Sequence, residues 1–104
     1  MIKVDVMYPT TEGARFDHAY YRDSHMPMVK ATLGAACTGY TVDRGLAGGA
    51  PGAPAPYVAK CALFFESVES FQAAFAPNAG KIKADIPNYT DIAPAMQISE
   101  VVVG

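Results

Sequence analysis

Alternating apolar and polar residues predict a first strand over residues 2–8. One face of this strand is apolar and consists of Ile2, Val4, Val6 and Tyr8. The other face carries Lys3, Asp5 and Met7. A period of two over seven residues is typical of a β-strand, and Pro9 ends it because proline lacks the amide hydrogen that a sheet needs. A polar turn over residues 10–15 follows.

The spacing of apolar residues becomes helical between Phe16 and Leu33. Pro27 interrupts this run, because it cannot donate a backbone hydrogen bond and it disfavours helical dihedrals in the residue before it. The pattern therefore predicts a helix over residues 16–25, a break or kink, and a short second helical piece that starts at Pro27. Gly34 is a natural helix terminator.

The rest of the chain predicts three more strands and one more helix. The strands cover residues 36–44, 57–66 and 96–103, and a Gly/Ala/Pro-rich loop joins the first two of them. The helix begins after Ser67, a favourable N-cap, and its apolar stripe is Val68, Phe71 and Phe75. Residues 78–95 carry three further breaker residues and are predicted to be irregular.

The order β-α-β-β-α-β predicts an α+β domain of ferredoxin-like type, with a four-stranded antiparallel sheet and two helices on one face. A chain of 104 residues favours one domain spanning residues 1–104. Strands 1, 3 and 4 are interpreted as apolar on both sides, and the chain has no third layer to cover the second side. These features predict a homodimer in which one sheet packs on the other.

Composition and charge argue against nucleic acid and membrane as binding partners. Net charge is −2 and the basic residues form no stripe, so a nucleic-acid partner is not expected. Apolar stretches are far shorter than a membrane span, and the amino terminus lacks a signal-peptide pattern, so we expect a cytoplasmic protein without a membrane partner. Cys37 and Cys61 lack the spacing of metal ligands, and two cysteines are too few for a disulfide framework. They are predicted to be buried free thiols in strands.

Two segments resemble the EthD family, named for ethyl tert-butyl ether degradation. Residues 16–28, FDHAYYRDSHMPM, are similar to the first-helix signature of that family, with an aromatic pair, a histidine and His-x-Pro. Residues 85–92, DIPNYTDI, together with Pro94 and residues 97–101, are similar to its carboxy-terminal signature. The resemblance implies a dimeric α/β barrel. It implies no single reaction, because related barrels include cyclases, isomerases, oxygenases and haem-degrading enzymes.

His25 and Tyr21 are the predicted catalytic residues. On a helix His18, Tyr21 and His25 fall along one stripe. A neutral imidazole accepts a proton near neutral pH, and a nearby phenol can donate a hydrogen bond to a developing oxyanion. The structural alternative is that His25 caps the broken helix or bonds to the loop over residues 85–91.

Four further residues are predicted to bind substrate: His18, Tyr40, Phe64 and Asn88. Packing is the competing explanation for the first three, and a turn hydrogen bond is the competing explanation for Asn88. No metal ligand set, phosphate-binding loop or cofactor motif is found in the sequence.

Three functional hypotheses remain open. The first is a cofactor-free isomerase, cyclase, decarboxylase or oxygenase that acts on a small, fairly apolar metabolite in a degradation or biosynthetic pathway. The second is a non-catalytic accessory or ligand-binding dimer. The third is haem binding through His25, which follows only from fold analogy, and we predict no haem site. A deep pocket with His25 facing inward favours the first hypothesis, and a filled core with His25 bonded to backbone favours the second.

Overall fold

One antiparallel sheet organises the chain. The computed structural model describes residues 1–104, with strands β1 (Ile2–Pro9), β2 (Gly39–Arg44), β3 (Tyr57–Phe65) and β4 (Ala95–Glu100) in the spatial order β2-β3-β1-β4. All three strand pairs are antiparallel, which confirms the ferredoxin-like arrangement. β2 starts later than predicted because Gly34–Ala36 form a 3₁₀ turn, and β4 ends three residues early.

The first helical segment is continuous from His18 to Leu33. It consists of α1 (His18–Tyr20), a π-helical turn (Tyr21–His25) and α2 (Met26–Leu33). The predicted start at Phe16 is wrong, because Phe16 pairs with Thr90 in an isolated β-bridge. Asp17 is the N-cap instead, and its carboxylate accepts a hydrogen bond from the Tyr20 amide at 3.1 Å.

Of the predicted break or kink at Pro27, the break does not occur, and the π-helical turn explains why. In a regular α-helix, the Pro27 ring would clash with the carbonyl four residues earlier. Here the Met26 amide donates to the Tyr21 carbonyl, five residues back, so the turn just before the proline is wider. The helix thus passes through Pro27 without ending. Both ends of the π turn, Tyr21 and His25, are buried.

The second helical segment is longer than predicted. α3 (Val68–Phe75) begins at the predicted cap, where the Ser67 hydroxyl accepts a hydrogen bond from the Ser70 amide at 3.0 Å. A 3₁₀ turn (Ala76–Asn78) leads into α4 (Ala79–Ala84), so the prediction of irregular structure is wrong for these residues. Pro77 is tolerated because it lies in the first turn of the 3₁₀ helix, where a missing amide hydrogen costs little. Ile86–Asn88 form another 3₁₀ turn.

The two faces of the sheet differ in polarity. The helix face holds most of the buried core, including Val4 of β1 and Leu63 and Phe65 of β3. The opposite face carries the ion pairs Lys3–Asp5 and Lys60–Asp43 at 3.9 and 4.0 Å. The interpretation of strands 1, 3 and 4 as apolar on both sides is therefore wrong, because the register places charged residues on the outer face.

Exposed apolar side chains occur instead on the edge strand β4. Met96 and Ile98 pair with Val6 and Val4 of β1, so they share the helix face of the sheet. They are 47% and 42% exposed. The free cysteines Cys37 and Cys61 are buried as predicted. Cys61 lies in β3, but the predicted strand position of Cys37 is wrong, because β2 begins at Gly39. No helix of this fold has both the length and the apolar character needed to cross a membrane.

Candidate functional site

An apolar cavity of about 80 Å³ lies between the sheet and the helices. β1 and β3 contribute residues such as Tyr8 and Cys61, and the first helical segment contributes Tyr21 and His25. Twelve of the fifteen lining residues are hydrophobic. Lys83 and Met96, both exposed, also line the cavity, so they mark its opening to solvent. A ligand here would leave water and lie against His25.

His25 makes one side-chain hydrogen bond, with a carboxylate distant in sequence. Its Nδ1 lies 2.8 Å from Oδ2 of Asp85, which follows α4 directly. His25 itself is 4% exposed. The interaction joins the π turn of the first helical segment to the carboxy-terminal part of the chain, and it involves no backbone group.

Asp85 is held in its ionised form by three side-chain donors. The Tyr20 hydroxyl donates to Oδ1 at 2.7 Å, and the Asn88 amide donates to the same oxygen at 2.9 Å. His25 occupies Oδ2. Burial alone would raise the pKa of Asp85, but these three hydrogen bonds outweigh burial and lower its pKa.

His25 is neutral at neutral pH, because burial lowers its pKa and the neighbouring Asp85 offsets this only in part. A charged carboxylate accepts but does not donate, so Nδ1 carries the imidazole proton and donates it to Asp85. Nε2 is then left with a lone pair, and it makes no hydrogen bond within the chain. A histidine whose other nitrogen is held in this way has the arrangement of a general base.

Tyr21 brings an unpaired hydroxyl to the same cavity. Its ring stacks on His25 with centroids 5.7 Å apart and planes at 14°. The side chain is 1% exposed, and its hydroxyl is the one buried side-chain polar atom without a hydrogen-bond partner of good geometry in the protein, with the Cys61 thiol as its polar neighbour. Burial, and then the nearby Cys61 thiol, hold the pKa of Tyr21 far above its ordinary value, so the hydroxyl keeps its proton and remains a donor.

A cluster of aromatic rings fixes both residues in place. Tyr89, which is fully buried, packs against His25 at 4.6 Å and against Tyr21 at 5.0 Å between ring centroids. Its hydroxyl is hydrogen-bonded to that of Tyr8 at 2.5 Å. Burial raises the pKa of Tyr8 to about 12 despite this bond. These two hydroxyls satisfy each other, which leaves Tyr21 as the unpaired donor at the cavity.

The structure brings together only some of the predicted site residues. Tyr21 and His25 both line the cavity. Asn88 does not line it but donates to Asp85. Phe64 pairs with Lys3 on the outer face of the sheet and does not line the cavity, so its predicted contact with substrate stays a prediction. Tyr40 packs at the edge of the core, and His18 packs on Phe16 with ring centroids 4.8 Å apart; neither lines the cavity.

The structural alternative for His25, a bond to the loop over residues 85–91, is confirmed by its contact with Asp85. Neither Asp85 nor Lys83 was itself predicted to be a functional residue. The sequence shows no acid beside His25, because Asp85 is 60 residues away. The available signal in the sequence was the position of Asp85, which is the first residue of the second EthD-like segment, residues 85–92. No group of three or more His, Cys, Asp or Glu side chains is arranged to hold a metal ion.

Comparison with known proteins gives consistent results. The EthD domain profile matches residues 10–93. An EthD-like protein from Ralstonia eutropha JMP134 has a crystal structure that is 66% identical in sequence, with a TM-score of 0.94 over 98% of this chain and 92% of that one. No curated protein matches the chain.

Two more distant structures share the fold. An ethyl tert-butyl ether degradation (EthD) family protein from Bacillus halodurans C-125 is 19% identical, with a TM-score of 0.66 over 96% of this chain and 97% of that one. A protein from Arabidopsis thaliana is 12% identical, with a TM-score of 0.68 over 96% of this chain and 94% of that one. At these identities the likeness is one of fold alone.

Proposed function

This chain belongs to the EthD domain family, and we propose its function from the site, because the fold alone does not identify a reaction. We infer that the protein is a cofactor-independent enzyme that transfers a proton on a small, fairly apolar metabolite. One observation carries the proposal. A neutral His25, oriented by the ionised Asp85, lines an apolar cavity with a free Nε2. A buried base with a fixed tautomer is the arrangement that general base catalysis requires.

The proposed step is removal of a proton from carbon next to a carbonyl group. His25 Nε2 takes the proton, the C–H electron pair moves to form a carbon–carbon double bond, and the carbonyl oxygen becomes negative. The Tyr21 hydroxyl donates a hydrogen bond to that oxygen. Asp85 stabilises the imidazolium that forms. In a substrate with a β,γ double bond the anion extends to the γ-carbon, and return of the proton from the imidazolium to that carbon completes an isomerisation. Cyclisation can proceed through the same anion when it attacks a second carbonyl within the substrate.

The second hypothesis, a ligand-binding accessory protein, is favoured by the size of the cavity. About 80 Å³ is small beside the roughly 300–1,000 Å³ of pockets that enclose drug-sized ligands. Such a protein would use Tyr21 and His25 only as hydrogen-bonding groups. Both functions predict binding, and only the first predicts proton exchange.

Proton exchange tests the proposal without a known substrate. A panel of small apolar ketones and β-keto compounds is incubated with the protein in D₂O, and loss of the α-proton signals is followed by NMR. The wild-type protein should accelerate exchange of at least one compound. His25→Gln should abolish the acceleration, and Asp85→Asn should reduce it because the imidazole loses the charge that stabilises its protonated form.

His18→Gln is the matched control, because His18 is on the same helical segment but outside the cavity. It should exchange at the wild-type rate. Exchange that persists in His25→Gln would refute the assignment of the base. Saturable binding of the panel without any exchange would support the accessory hypothesis instead.

We further propose a homodimer in the cytoplasm. The exposed apolar side chain of Ile98 on β4 and the low content of charged residues, 17%, support self-association through a surface that leaves the cavity entrance beside Met96 open to solvent. Two buried free thiols fit a reducing compartment. Light scattering should give twice the 11.0 kDa chain mass. A monomer that persists at high concentration would contradict the dimer without affecting the proposed chemistry.

A further inference from the structure

The entrance of the cavity carries one cation. Lys83 is exposed and lines the cavity from α4, close to Met96 of β4. No aspartate or glutamate lines the cavity. The four-carbon stem of a lysine can lie along an apolar wall while its ammonium group stays in water. Lys83 can therefore hold a positive charge over the opening.

Lys83 has no partner within the protein. It forms neither a salt bridge nor a side-chain hydrogen bond, whereas Lys3, Lys60 and Arg22 each have a carboxylate within 4.0 Å. Lys81 and Arg44 are unpaired as well, but neither lines the cavity. The nearest carboxylate in sequence, Asp85, is engaged by Tyr20, His25 and Asn88. The charge at the entrance is thus available to a ligand.

We propose that Lys83 is a specificity-determining residue, and that the ligand is a small, mostly apolar molecule with one anionic group, of carboxylate type. This inference rests on the proposed function, since it concerns the same cavity. The apolar part of the ligand lies between the sheet and the helices beside Tyr21 and His25. The anionic group lies at the entrance against the Lys83 ammonium, where water still solvates it.

The size of the cavity sets the length of the apolar part. About 80 Å³ is roughly half of the 150 Å³ that holds a benzene molecule in an engineered apolar cavity. A chain of about three carbons therefore fits, with its charged end outside. Butanoate and butanamide are suitable probes, because they have nearly the same shape and differ in charge.

The test is a pair of NMR titrations at low ionic strength, where screening is weak. Butanoate should bind about two- to fivefold more tightly than butanamide, as expected for one solvent-exposed ion pair. Lys83→Met keeps the apolar stem and should remove this preference. High salt should reduce it in the wild-type protein.

Lys81→Met is the matched control. Lys81 is an exposed lysine on the same six-residue helix, also in its last turn, but it does not line the cavity. Both variants lose one positive charge, so any difference between them reflects position. Lys81→Met should keep the preference for butanoate.

Three results would overturn the inference: equal affinity for the two probes in the wild-type protein, equal loss of preference in both variants, or binding of neither probe. Proton exchange by His25 is measured separately on uncharged ketones. The anionic subsite can therefore fail while the acid–base proposal stands, and the reverse also holds.

Discussion

The unpaired hydroxyl of Tyr21 leads us to predict that its removal stabilises the protein. A buried hydroxyl without a hydrogen bond costs about 1–3 kcal/mol, because it has lost its contacts with water. Tyr21→Phe removes that oxygen and keeps the ring that packs on His25 and Tyr89. The free energy of unfolding should therefore rise by about 1 kcal/mol or more, although the variant loses the proposed oxyanion donor.

The size of the effect is measurable by thermal unfolding. A domain of this length gains or loses about 5 °C in Tm for each kcal/mol. Tyr21→Phe should thus unfold about 5 °C above the wild-type protein at matched protein concentration. In the proton-exchange assay the same variant should be slower, because it lacks the hydroxyl that donates to the substrate oxygen. A gain in stability together with a loss of activity is expected when a buried polar group binds a ligand.

Tyr8→Phe is the matched control, since Tyr8 is equally buried at 1% exposure and borders the same cavity. Its hydroxyl is bonded to that of Tyr89, so its removal leaves the Tyr89 hydroxyl buried and unpaired. This variant should lose about 1–3 kcal/mol. If Tyr21→Phe is destabilised as much as Tyr8→Phe, the Tyr21 hydroxyl has a structural partner, such as the Cys61 thiol, and the reasoning is refuted.

Three further predictions concern the cap, pH and haem. Ser67→Ala should lower the stability by about 1 kcal/mol in urea unfolding, and Ser67→Asp should retain it; equal stability of all three proteins would show that the cap is dispensable. Burial favours neutral His25 in the folded state, so its contribution to the free energy of unfolding should be fully present above its ordinary pKa of 6.5. The free energy of unfolding should fall as the pH drops from 6.5 through the lower pKa of the folded state, and this pH dependence should be weaker in His25→Gln. An identical profile in that variant would contradict the lowered pKa of His25. Hemin should keep the absorption spectrum of free hemin when the protein is added, because the cavity beside His25 is about 80 Å³; a saturable Soret shift that disappears in His25→Ala would restore the haem hypothesis.

The fold was predictable because its signals are local. Period-two alternation located β1, and the Ser67 cap located the start of α3. Both depend on residues within one or two turns of the chain. Which residues of a strand face the helices depends on the register between strands, and local patterns do not contain this register. For this reason the outer face of the sheet was wrongly predicted to be apolar.

The position of His25 beside Tyr21 was predictable from the sequence, but the identity of its hydrogen-bond partner was not. Its position on one stripe with Tyr21 follows from helical geometry, and the structure places both at the cavity. The identity of its partner depends on how the carboxy-terminal segment packs on the first helical segment, and no local rule joins Asp85 to a residue 60 positions earlier. The π turn was missed for a related reason, because the local effect of Pro27 is the same whether a helix ends or widens.

The protonation of His25 tests the central claim most directly. ¹⁵N NMR of the histidine side chains, assigned with His25→Gln and His18→Gln, distinguishes the two neutral tautomers from the imidazolium. We predict that at neutral pH His25 is neutral, with its proton on Nδ1 and a lone pair on Nε2, and that Asp85→Asn changes this signal while leaving that of His18 in place. A proton on Nε2, or an imidazolium at neutral pH, would contradict the account, because His25 would then have no free base to offer a ligand.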